Sequence, residues 1–149
     1  MPNVPSVHLT VAALVPNDGA FLCVQEVDNG HFVLNQPAGH VEAGESLIEA
    51  LCRETLEETG WLVQPRYLLS LCTYLSPHNG QSYHRVTMVC EALERVTEVL
   101  DPEITQALWL NEAELRKRLA EHRSPMVMSS IEDYLSGTQY PLEIIRDYR

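Results

Sequence analysis

The segment from Gly39 to Trp61, GHVEAGESLIEALCRETLEETGW, constrains this chain more than any other. Its interior carries helix punctuation. Ser46 followed by Glu49 is a capping box, and Gly60 after Thr59 is the residue type that leaves a helix most easily through the left-handed region. The pattern predicts a helix from about Leu47 to Thr59. At about 100° per residue, Glu54, Glu57 and Glu58 share roughly a third of its circumference. Ile48, Leu51, Cys52, Thr55 and Thr59 fill the neighbouring arc and are expected to face the core.

An acidic stripe is in many proteins only a solvated face, because like charges at this spacing repel by a few tenths of a kcal/mol. The preceding segment argues for more. A strand-like run enters Pro37-Ala38-Gly39, and with Gly44 this makes a tight Pro/Gly-bounded loop that feeds directly into the acidic helix. Such a loop offers backbone carbonyls to the point where the carboxylates converge. Oxygen-only donors suit a hard cation, Mg2+ or Mn2+.

Gly39, Glu45, and then Arg53-Glu54-Thr55-Leu56-Glu57-Glu58-Thr59-Gly60-Trp61 closely resemble the box of the Nudix family, G-x5-E-x7-R-E-U-x-E-E-x-G-U with U apolar. Thr55 is the one departure, at a position usually aliphatic. The resemblance implies an α+β fold, an α/β/α sandwich around a mixed β-sheet, and an enzyme that hydrolyses phosphoric anhydrides. It implies an ion pair between Arg53 and Glu45, and a catalytic group of Arg53, Glu54 and Glu57. Metal binding by Glu54, Glu57, Glu58 and the Ala38 carbonyl is also implied, with Gly39, Glu45 and Gly60 as structural positions.

The length of 149 residues suits one domain, 1–149, able to bury roughly two thirds of its unfolded surface. No apolar run has the length of a membrane span, and the start MPNVPSVHLT lacks a basic then apolar leader, so the expected location is cytoplasmic with no membrane partner. Cys23, Cys52, Cys72 and Cys90 show no C-x-x-C spacing and are expected as buried free thiols. A formal charge of −11 argues against nucleic acid as a partner. It leaves room for a small phosphorylated substrate, because bound cations reverse the local field.

Along the chain, Val7–Val15, Phe21–Val27, His31–Gln36, Tyr67–Leu75, Tyr83–Leu93 and Ala107–Leu110 read as strands, with turns at Pro16–Gly19, Asp28–Gly30 and Pro77–Gly80. A capped helix is expected from Asn111 to about His122 and another from Ser124-Pro125 to near Gly137.

Outside the box, Asn35–His40, Arg123-Ser124-Pro125, Ser136-Gly137 and Tyr140–Glu143 resemble the NudJ branch of the Nudix phosphatases over nearly the whole chain. That branch implies hydrolysis of nucleoside tri- and diphosphates, often releasing orthophosphate, and of hydroxymethylpyrimidine pyrophosphate, a thiamine precursor. Other Nudix substrates, such as oxidised nucleotides, ADP-ribose and dinucleoside polyphosphates, share the box, as do silent nucleotide-binding modules. Glu103 is the candidate further carboxylate, and Gln36, His40, Arg85 and Tyr74 are candidate substrate contacts. Each has an ordinary alternative: a solvated loop acid, a loop hydrogen bond, a strand-surface arginine, a half-buried tyrosine. A monomer and a homodimer are both compatible with the tail Tyr140-Pro141-Leu142.

Overall fold

The computed structural model describes residues 6–149. The chain runs through β1 (Val7–Leu14), β2 (Pro16–Asn17), β3 (Ala20–Asp28), β4 (His31–Asn35) and β5 (Ala38–His40) before α1 (Leu47–Thr59). After it come β6 (Trp61–Leu75), β7 (Ser82–Arg95), β8 (Ile104–Asn111), α2 (Glu112–Lys117) and α3 (Pro125–Leu135). One sheet has the order β5-β1-β7-β6, mixed because β1 and β7 are parallel while both outer strands are antiparallel to their neighbours. In the second sheet, β3 pairs with β2, β4 and β8.

Strand alternation gives the first sheet two apolar faces. Val11, Ala13, Val86 and Met88 meet Ala50 and Leu51 of α1 on one side. Leu14 and Val89 on the other meet Leu34, Leu69, and Met128 and Ile131 of α3. The sheet lies between helices, the α+β mixed-sheet architecture expected from the resemblance.

α1 has the predicted boundaries, with both hydrogen bonds of the Ser46–Glu49 capping box and Gly60 at φ 78°. Thr55, the departure from the box pattern, is fully buried, and its hydroxyl donates to the Leu51 carbonyl at 2.7 Å. The polar atom is thereby satisfied where an aliphatic group would otherwise sit.

Three expectations change. Ala38–His40 is a short edge strand on β1 rather than a loop. β6 begins at Trp61, well before Tyr67, because Pro65 lies on an edge strand and is accommodated by a bulge before Tyr67. α2 stops at Lys117 and a 3-10 turn over Leu119–Glu121 follows, where Arg118 reaches Gln25 and Glu121. All four cysteines are free; Cys23 and Cys90 are buried, whereas Cys52 and Cys72 are only half-buried. No described helix is long and apolar enough to cross a membrane.

Candidate active site

Two acids of the α1 stripe, Glu54 and Glu57, come together with a loop acid, while Glu58 lies outside that group and turns to the Ala38 N–H. Carboxylate oxygens of Glu54, Glu57 and Asp101 lie within 4.8 Å of one another. Asp101 is brought there by the backbone, since its N–H donates to the Glu57 carbonyl at 2.9 Å and so ties the loop to the last turn of α1. Arg53 holds the group in register. Its Nε and Nη2 form a bidentate pair with Glu45, 2.7 Å each, while Nη1 donates to Glu54 at 2.8 Å and to Glu57 at 3.3 Å. Hydrogen bonding from Arg53 and from the Glu42 N–H pulls the Glu45 carboxyl down to about 2.

β5 forms the wall between these acids and the sheet. Pro37 and Val41 bond backbone to backbone with β1, so the intervening Ala38 N–H and His40 carbonyl point the other way. There Ala38 N–H donates to Glu58 Oε1 at 2.8 Å, and the His40 carbonyl accepts from Arg53 Nη2 at 3.1 Å. The Ala38 carbonyl leaves on the same edge as its N–H. Burial pushes the Glu58 carboxyl up to about 8, against the pull of that N–H. Burial likewise raises Glu54. A methyl group on Gly39 would fall 2.1 Å from Glu54 Cδ, so glycine is what lets the strand approach the acids.

Three hard oxygen donors with no nitrogen or sulfur among them fit Mg2+ or Mn2+, and the space a side chain at position 39 would fill is left to Glu54. Arg53 supplies one positive charge among Glu45, Glu54 and Glu57, so the crowd of carboxylates keeps a negative excess that a bound cation would offset.

The other face of the same strand opens on a cleft of about 600 Å3. Its lining includes Ala38 and His40 of β5, Thr10 of β1, Tyr83 and Arg85 of β7 and Tyr74 of β6. The pairings Thr10 with His40, Thr10 with Arg85 and Tyr83 with Tyr74 put these residues on one face of the first sheet. Phe32 of β4 and Met126 of α3 contribute apolar lining.

Arg85 is 3% exposed and makes no ion pair among the described residues, although the Glu58 carboxyl is near enough to act on it electrostatically. Nη1 donates to Asn35 Oδ1 at 3.2 Å and Nη2 to Gln36 Oε1 at 2.5 Å, while Nε is buried without a partner among the described residues. Burial lowers its pKa to about 10, which still leaves it charged at neutral pH. A buried cation whose direct hydrogen-bond partners are amide oxygens is costly, and an anionic ligand would relieve that cost.

Several sequence candidates move. Gln36 is buried, and its amide is consumed by Arg85 and by the Val127 carbonyl, 2.9 Å away, so it orients Arg85 instead of touching a ligand in the cleft. Glu103 is exposed and outside the acid group, whereas Asp101 is inside it. His40, Tyr74 and Arg85 all line the cleft. No local signal distinguishes Asp101 from Glu103, because the choice depends on the backbone bond to Glu57. His8 and Asn35 went unnoticed; the one hint of His8 was its place on the polar side of the β1 alternation.

Comparison with known proteins agrees with this geometry. A family profile described as the NUDIX domain matches residues 6–129. Phosphatase NudJ of Shigella boydii serotype 4 is 41% identical over 143 residues, 95% of this chain and 92% of that protein. Phosphatase NudJ of Escherichia coli K12 is 40% identical over the same shares. A NUDIX hydrolase from Nitrosomonas europaea superposes with a TM-score of 0.92 at 41% identity, covering 96% of this chain and 98% of that one. The box residues, the strand that carries them past a cleft, and these similarities along nearly the full length lead to one assignment: the chain belongs to the Nudix family and is a Nudix hydrolase.

Proposed function

We propose that this enzyme is a Mg2+-dependent phosphohydrolase of the NudJ type, acting on nucleoside tri- and diphosphates and on hydroxymethylpyrimidine pyrophosphate with release of orthophosphate. The observation that carries the reading is an acid cluster on α1 beside the edge strand β5, together with a buried arginine on β7 whose direct partners are amide oxygens and which lines the cleft that β5 borders. Its support is the full-length identity to the NudJ phosphatases. Mn2+ fits the same donors.

In this reading Glu57 is the principal metal ligand, helped by Glu54, Glu58 and the Ala38 carbonyl, and Asp101 takes the place in the cluster expected of Glu103. What the cation supplies when bound is neutralisation of the phosphate oxygens and activation of water. Arg53 keeps Glu54 and Glu57 aimed by charge-assisted bonds, and Glu45 keeps Arg53 in place. The carboxylates take the proton of the attacking water as a coupled set. Arg85 binds the anionic tail through Nε–H, and Asn35 and Gln36 fix its plane. Tyr74 and Phe32 pack against the ring, with Tyr74 providing the stacking surface.

Two measurements test this. Glu57→Gln should lower Mg2+-dependent kcat by at least about a hundredfold while leaving the unfolding midpoint measured in EDTA unchanged; turnover at the wild-type level would reject the assigned cluster. A panel of nucleotides with separate detection of orthophosphate and pyrophosphate should show orthophosphate from triphosphates. Dominant pyrophosphate release would shift the assignment to another Nudix substrate class.

A further inference from the structure

One hydrogen-bond chain in the cleft is not used by the acid cluster. His8 sits between two partners: its Nε2 meets the amide oxygen of Gln81, and its Nδ1 lies 2.8 Å from Nε2 of His40. The His8 ring also stacks on Tyr83, with centroids 4.6 Å and planes 15° apart, which fixes the plane of the ring. The backbone at the far end is anchored too. The Gln81 N–H donates to Asn79 Oδ1 at 2.9 Å, its carbonyl accepts from Ser76 N–H at 3.0 Å, and Asn79 Nδ2 donates to the Tyr83 hydroxyl at 2.8 Å.

The direction of the chain follows from its end group. An amide oxygen only accepts, so the proton of neutral His8 is on Nε2. Its Nδ1 is then a bare lone pair and must accept from His40 Nε2–H. His40 in turn carries its proton on Nε2 and keeps an unprotonated Nδ1. That nitrogen has no donor among the described residues, and the His40 ring is part of the cleft wall.

We propose that His8 and Gln81 are positioning residues that fix His40 as a hydrogen-bond acceptor, so that the cleft selects substrates presenting an N–H or O–H donor there over those presenting a carbonyl. The donor is a ring amino group or a sugar hydroxyl. The inference rests on the nucleotide phosphohydrolase reading and adds a rule for which nucleotides it prefers. A carbonyl brought to the same place would set lone pair against lone pair and leave both unpaired. The expected discrimination is that of one neutral hydrogen bond, roughly 3- to 10-fold in kcat/KM.

Nitrogen-15 NMR of histidine-labelled wild-type protein should show His40 Nδ1 as an unprotonated imidazole nitrogen and Nε2 as a protonated one. Kinetics should compare CTP with UTP for the ring amino group and CTP with dCTP for the sugar hydroxyl. In the wild type the donor-bearing member of one pair should be favoured, mainly through KM. His8→Phe keeps the ring stacked on Tyr83 but removes both nitrogens, and the ratio within that pair should fall to about one. Gln81→Lys places a donor against His8 Nε2, which reverses the chain and should invert the preference. Ratios within one variant cancel any general loss of activity. A protonated His40 Nδ1, equal use of both members of both pairs by the wild type, or ratios unchanged in both variants would overturn the inference. Failure of the phosphohydrolase reading looks different: the wild type would hydrolyse no nucleotide at all.

Discussion

Gly39 is where one carbon atom has the largest effect on the site. A methyl group there meets the end of the Glu54 side chain, which can swing away, so the cost falls on the geometry of the acids and not on the fold. Gly39→Ala is expected to lower kcat/KM by about a hundredfold, the usual effect of misplacing a reacting group by an ångström. Its unfolding free energy, from urea titration, should stay within about 1 kcal/mol of wild type. At Glu45 the effect is one of pH. Its folded pKa, about 2, is below the value for a free glutamate, so the Arg53 pair stabilises the fold above about pH 4.5 and is lost as pH falls toward 2. Urea midpoints measured from pH 6 down to pH 3 should fall more steeply for wild type than for Glu45→Gln. Glu54, Glu57 and Glu58 were legible from helical spacing, and the roles of Gly39, Glu45 and Arg53 from the resemblance to the Nudix box. Asp101, Asn35 and His8 were not, because each is placed by a contact between segments distant in sequence.

At the level of elements, α1 was readable to the residue because both its ends carry local signals, a capping box and a glycine. β5 departs from expectation because Ala38-Gly39-His40 has little strand propensity of its own and is strand only through its partner β1, and the start of β6 because Pro65 interrupts a run that an edge strand accommodates with a bulge. The glycine after α1 carries two constraints at once. Gly60 has φ 78°, and a Cβ there would lie 2.0 Å from the Thr97 carbonyl oxygen, a backbone atom that cannot swing aside. Gly44 has φ 81° but open space around it. Gly60→Ala should therefore cost roughly 2–4 kcal/mol and Gly44→Ala about 1 kcal/mol. The check is the shift in urea midpoint at constant m-value.

For the whole molecule, a net charge of −11 with three acids converging at one point means that a bound cation should stabilise the fold as well as serve the chemistry. At Mg2+ a hundredfold above its dissociation constant the gain is about 2.7 kcal/mol, or roughly 5–10 °C in Tm for a chain of this size. Glu57→Gln should lose most of that shift in a thermal scan with and without EDTA. The α+β class followed from the order of strands and helices in the sequence; the location of the cleft did not, since it requires knowing which face of the first sheet α1 leaves uncovered. Because successive residues of β5 point to opposite sides, a side chain added at position 39 would meet the acids, whereas the one at position 40 lines the cleft. Anyone redesigning what this enzyme accepts can therefore vary residue 40 and its His8 support while leaving residue 39 untouched, and ring preference should change independently of the machinery that breaks the anhydride.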